Sequence, residues 1–99
     1  MFCQHCNKLS NTVEIRGPRL RRELISMAAS GMANGVLVNV SQRYPHASQP
    51  FQDVAAGGPW DDHVNYHFEC RYCGTVFRLE AETYHGSGGT WGALPAAAL

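Results

Sequence analysis

Two short stretches, CQHC (Cys3, Cys6) and CRYC (Cys70, Cys73), contain all four cysteines of the chain at the same spacing. Nothing else in the sequence restricts the fold as strongly. Two thiolates three positions apart can converge on one ion at about 2.3 Å while backbone N–H groups reach the sulfurs, and two such pairs complete a tetrahedral site. Gly74 follows Cys73 at the point where a tight knuckle often needs positive φ. Asn7, the next most tolerant residue for that conformation, stands at the same place after Cys6. Redox motifs of this spacing sit at a helix N-terminus after a strand, whereas strand-like sequence flanks Cys70 and Cys73 on both sides. Four cysteines close the coordination shell, which favours a structural ion over a catalytic one with an open position. His5 and His67 lie close in sequence and are read as neighbours of the ligands. His67-Phe68-Glu69 lacks the separation, and the proline before Cys70, that a zinc deaminase signature requires.

The arrangement resembles the zinc ribbon class, in which two knuckles, at least one on a hairpin, clasp one metal ion. The resemblance covers residues 2–15 and 64–79, and it implies Zn2+ bound by Cys3, Cys6, Cys70 and Cys73. Residues 7–69 separate the two pairs, far more than the ribbon spacing of about 12–20. The intervening chain is therefore either an insertion or the body of a small α+β domain that the ribbon clasps.

A domain of 99 residues is near the size at which burial alone becomes marginal, so a metal staple has an energetic purpose. Hydrophobic residues make up 44% of the chain and charged residues 16%, a globular composition. Eight basic and eight acidic residues give zero formal charge, which disfavours broad electrostatic binding to nucleic acid or acidic membranes. Four thiolates around a dication would add about −2. The first ten residues lack the basic start and apolar core of a signal peptide, and no apolar run approaches bilayer-spanning length. A cytoplasmic protein is expected, in a compartment where cysteine pairs bind metal more often than they form disulfides.

Periodicity predicts an α+β fold: a small antiparallel sheet of three to five strands, with one main helix. Val13 and Ile15 mark a short strand in residues 11–17. Pro18 suits a first helical position, and Leu20, Leu24, Met27, Ala28 and Gly31 form an apolar stripe over a helix from about 18 to 30. Arg21, Arg22 and Ser26 are expected to face water, and Gly31 and Gly35 are candidate stop signals. Asn34-Gly35 also carries a hairpin-turn signal. Val36, Val38 and Val40 would share one apolar strand face. Residues 43–62 read as irregular, with Ser48 capping a short helix over 50–55. The clearest element is a hairpin in which Val64, Tyr66 and Phe68 alternate with Asn65, His67 and Glu69, and Thr75, Phe77 and Leu79 alternate with Val76, Arg78 and Glu80. Residues 1–92 are expected to form one domain and 93–99 a flexible tail.

The reading that follows is a zinc-binding protein that acts as a non-enzymatic protein-interaction module. Its expected contact residues are Arg19, Arg21, Arg22, Trp60, His85 and Trp91. A nucleic-acid-binding ribbon is the first alternative, using the Arg16–Arg22 cluster and aromatic side chains such as Tyr44, Phe51, Tyr72 and Trp91. The second is an enzyme built on the His85–Gly89 loop with His63 or His67. That glycine-rich stretch lacks the lysine and helix of a P-loop, and a turn that packs Tyr84 and Trp91 on the hairpin is the plainer reading.

Overall fold

The computed structural model describes residues 3–44, 50–57, 63–82 and 88–94. Five strands form one sheet: β1 (Val13–Glu14), β2 (Leu37–Asn39), β3 (His63–Cys70), β4 (Val76–Glu82) and β5 (Gly88–Ala93). Their order across the sheet is β1-β5-β4-β3-β2, with every neighbour antiparallel. Helix α1 (Pro18–Ala33) carries the chain from one edge of the sheet to the other, and a short α2 (Phe51–Ala55) follows β2. The α+β architecture matches the expectation from periodicity.

Helix α1 begins at Pro18, as its fixed φ favours, and ends three residues beyond the predicted boundary. Gly31 does not stop it. A Cβ there would stand 2.7 Å from Leu37 Cδ1, so its missing side chain lets β2 pack tightly against the helix. The stop is Gly35, at φ 75°: its N–H donates to the Met32 carbonyl, and the Val36 N–H donates to the Gly31 carbonyl. These two bonds satisfy otherwise orphaned helix carbonyls, so the Asn34-Gly35 signal ends a helix and does not turn a hairpin.

Leu24, Ile25 and Ala28 of α1, with Phe51 and Val54 of α2, pack on the sheet face formed by Val64, Tyr66, Phe68, Phe77, Leu79, Ala81 and Trp91. Phe51 meets Tyr66 and Phe68 edge-on, with ring centroids 5.2 and 5.0 Å apart, while Trp91 stacks on Phe77 at 5.4 Å. Leu37 pairs with Cys70 and Asn39 with Phe68, a register that turns Leu37 inward and leaves Val38 41% exposed. Along the stretch expected to form one apolar face, Val36 is half-buried, Val38 exposed and Val40 buried, while Leu37 between them joins the core cluster. The short helix near residue 50 forms as expected, while Ser48, its predicted cap, lies outside the described residues. The sheet also reaches past the predicted domain boundary: β5 includes Ala93, and the Leu94 N–H donates to the Val76 carbonyl.

On the opposite face, Tyr44 lies parallel to the His67 ring at 3.6 Å, and Ser41 Oγ accepts from the His67 N–H. His67 is only 5% exposed, and its Nδ1 has no hydrogen-bond partner among the described residues. Burial, and then Arg78 across the ladder, push its pKa below the usual histidine value. A histidine depressed in the folded state binds its proton more readily in the unfolded chain, so acid favours unfolding. Stability is therefore expected to fall as pH drops below about 6.5, by up to about 1.4 kcal/mol per pH unit. His67→Phe should keep the stack and flatten this dependence in urea unfolding curves. Parallel acid losses in both proteins would refute the assignment.

Candidate metal centre

Both knuckles are fixed by backbone hydrogen bonds before any ion is considered. In the first, the Cys6 N–H donates to the Cys3 carbonyl, and a 3-10 turn over Asn7–Leu9 follows. Asn7 opens that right-handed turn, which corrects its expected role as a left-handed knuckle residue. In the second, Cys70 ends β3, its N–H donates to the Thr75 carbonyl, and the Gly74 N–H donates back to the Cys70 carbonyl. Gly74 adopts φ 79°, as a glycine there allows. The Arg71 N–H donates to the Val36 carbonyl, which joins this knuckle to the start of β2.

Trp91 fastens the first knuckle to the sheet: its indole Nε1–H donates to the Leu9 carbonyl at 3.0 Å. Its side chain is fully buried. This corrects the expectation that Trp91 contacts a partner; the ring is core, and its polar edge positions the cysteine turn. Only the plainer reading of residues 83–91, with Trp91 packed on the hairpin, pointed this way.

The four thiols converge. Cys3 and Cys70 Sγ atoms lie 3.6 Å apart, Cys6 and Cys73 3.6 Å, and Cys3 and Cys6 3.7 Å. All four sulfurs fall within 4.8 Å of one another. Four thiolates at about 2.3 Å around a tetrahedral ion would stand about 3.8 Å apart, so the donor set matches in type, number and spacing. No pair approaches the roughly 2.05 Å of a disulfide, and all four cysteines are free. Burial grades the set: Cys6 and Cys70 are buried, Cys3 is half-buried and Cys73 is exposed. Burial pushes the Cys6 thiol up to about 12 and also raises Cys70. For Cys73 burial acts upward too, but hydrogen bonds from the Thr75 hydroxyl and N–H, with those from Cys3 and Cys6, together outweigh it and bring the thiol down to about 6. Buried thiols of this kind ionise only beside a cation, so metal binding would release protons. The cluster is compatible with a metal ion, and zinc is the typical occupant of four sulfur ligands.

The other expected contact residues are dispersed. Arg19 and Arg22 are exposed on the first turns of α1, lining with Pro18, Glu23 and Ser26 a shallow groove of about 550 Å³. Arg19 pairs with Glu23 at 3.6 Å, and Arg16 with Glu14 at 3.1 Å. Arg21 is half-buried, which corrects its expected exposure; burial and the adjacent Arg22 both lower its pKa. Trp60 and His85 lie outside the described residues. His63 stands 3.3 Å from Glu80, beside a hollow of about 300 Å³ that Glu82, Gly88 and Gly89 help line, while His67 is covered by Tyr44.

No family model, no curated protein and no solved structure matches this chain. Among the described residues, no helix is long and apolar enough to cross a membrane.

Proposed function

We propose that the protein is a zinc-stapled, non-enzymatic protein-interaction module, with a ribbon-like four-cysteine centre as its structural support. The convergence of four sulfurs from opposite ends of the sequence carries this reading. Four protein ligands leave zinc no position for a reacting water, so the ion's chemistry is spent on folding. In that reading, the binding energy of the module lies on its surface, and Arg19 and Arg22 are the exposed members of the expected contact set.

Elemental analysis of protein purified under reducing conditions should find one zinc per chain. The zinc-loaded protein, recovered from its own cells, should retain a protein partner that the Arg19→Glu/Arg22→Glu variant loses. Sub-stoichiometric metal in a folded chain would overturn the staple. A partner retained equally by the double variant would remove the arginine face from the interaction.

A further inference from the structure

The structure separates the aromatic side chains that sequence alone left equivalent. Phe51 and Trp91 are core, and Tyr44 lies on His67. Tyr72, in the second knuckle, is 57% exposed. It is not loose: its ring stacks on His5 of the first knuckle, with centroids 3.7 Å apart and planes within 19°. Closing the cysteine centre therefore stacks one ring from each CxxC loop face to face, and the exposed Tyr72 ring of that stack is a platform one ring wide. An exposed, preordered aromatic surface of this kind has already lost the rotamer freedom that binding would otherwise remove.

Apart from the cysteine thiolates, the two loops that carry the rings hold only basic side chains, and the nearest acid before Cys70, Glu69, pairs with Arg43. Residues 3–10 contain Lys8 and no acid, and residues 70–75 contain Arg71 and no acid. Both basic residues are exposed, and the Arg71 guanidinium lies beside Gly35 at the end of α1. The arginines at the start of α1 lie away from Arg71: Arg22 and Arg19 stand about 17 and 21 Å along the helix from its last residue, Ala33. A ligand with a flat ring and an adjoining negative charge fits the platform, and successive nucleotides repeat that combination.

We propose that the paired knuckle tips bind single-stranded nucleic acid, with a base stacked on the Tyr72–His5 pair and flanking phosphates near Arg71 and Lys8. This goes beyond the protein-interaction reading: both the ligand and the surface differ. It does rest on the closed cysteine centre, which brings the two rings together. Stacking dominates the binding. A zinc–thiolate centre of about −2 offsets the two nearby cations, so long-range attraction of phosphate is weak.

The test uses the full zinc-loaded chain and a fluorescently labelled oligothymidylate at low salt. Tyr72→Ala should weaken binding roughly 5- to 150-fold, the loss of one stacked base, whereas Tyr72→Trp should keep or strengthen it. The slope of log K against log salt should be about −1.4, from two single-strand phosphate contacts. In the unaltered protein, NMR should show the His5 and Tyr72 ring signals moving as oligonucleotide is added, a readout that needs no variant to fold. Unchanged affinity in Tyr72→Ala, or shifts confined to other residues, would overturn the proposal. So would no binding at low salt, or equally potent displacement by an oligoglutamate peptide, which would make the tips a site for acidic protein segments. Loss of binding in Arg19→Glu/Arg22→Glu with Tyr72→Ala unaffected would move the nucleic-acid site to α1. Failure of the protein-partner reading leaves each of these outcomes unchanged.

Discussion

On the proposed zinc-stapled reading, removing the metal, or replacing Cys70 by serine, is expected to unfold the domain. A structural zinc site contributes about 10–16 kcal/mol of apparent binding energy, as large as the whole stability of a typical domain, about 5–15 kcal/mol. Cys70 is buried at the end of β3, opposite Leu37; its N–H donates to the Thr75 carbonyl and its carbonyl accepts the Gly74 N–H, which closes the second knuckle. Serine there would remove one ligand and leave a buried hydroxyl beside sulfur. The damage would extend beyond the knuckle. The first cysteine turn precedes β1, an edge strand of two residues, and Trp91 reaches back to that turn through the Leu9 carbonyl. A strong chelator should therefore collapse the dispersion of the NMR spectrum and lower the melting temperature sharply. Cys73→Ser, at the exposed corner of the set, should also lose zinc but cause less disorder in the sheet. A chelated protein with an unchanged spectrum, together with no zinc by elemental analysis, would show that the cysteines are only neighbours.

The centre and the sheet differ in how far the sequence disclosed them. The four cysteines that the fold gathers were legible because metal coordination calls for one residue type at a fixed local spacing, and both survive a long insertion between the pairs. The central hairpin was legible because Val64, Tyr66 and Phe68 against Phe77 and Leu79 alternate with polar residues, and one face is buried. What failed was whatever depended on partners distant in sequence. Val38 points outward because β2 takes its register from Cys70, which no pattern within residues 36–40 reveals. Arg21 sits on a helix whose charge pattern suggests a wet face, yet tertiary packing half-buries it. Trp91 reads as a partner contact because indoles favour interfaces, and an indole that anchors a turn has the same chemistry. The largest miss is β5, where Gly-Gly-Thr-Trp-Gly-Ala has poor strand propensity and still pairs on both sides, with β1 and β4. The close approach of the β4 backbone explains Gly89, positive φ explains Gly88, and the Thr12 side chain crowds Gly92.

Gly89→Ala puts that explanation to the test and is expected to destabilise the domain by about 3–5 kcal/mol, among the largest effects for a single methyl group. Gly89 adopts φ 150°, a conformation that side-chain-bearing residues rarely adopt. A Cβ there would lie 2.1 Å from the Glu80 carbonyl oxygen and 2.6 Å from Ala81 Cα. Those are backbone atoms of the paired strand, so no rotamer change relieves the clash and β4 must move away from β5. The Gly89 carbonyl also accepts the Ile15 N–H at 2.8 Å, so the displacement would be felt at β1 and next to Trp91, which holds the first knuckle. Gly88→Ala should cost less: φ is 146°, but its nearest contact, the Ile15 carbonyl oxygen, is 3.5 Å away. Gly17→Ala, extended and with nothing within 4 Å of the new methyl, should change stability by no more than about 0.5 kcal/mol. Urea unfolding at saturating zinc should rank the three as Gly89, Gly88, then Gly17. If Gly89→Ala proved as stable as Gly17→Ala, β5 could not lie against β4 as described, and Trp91 would lose its place as the link between sheet and metal centre.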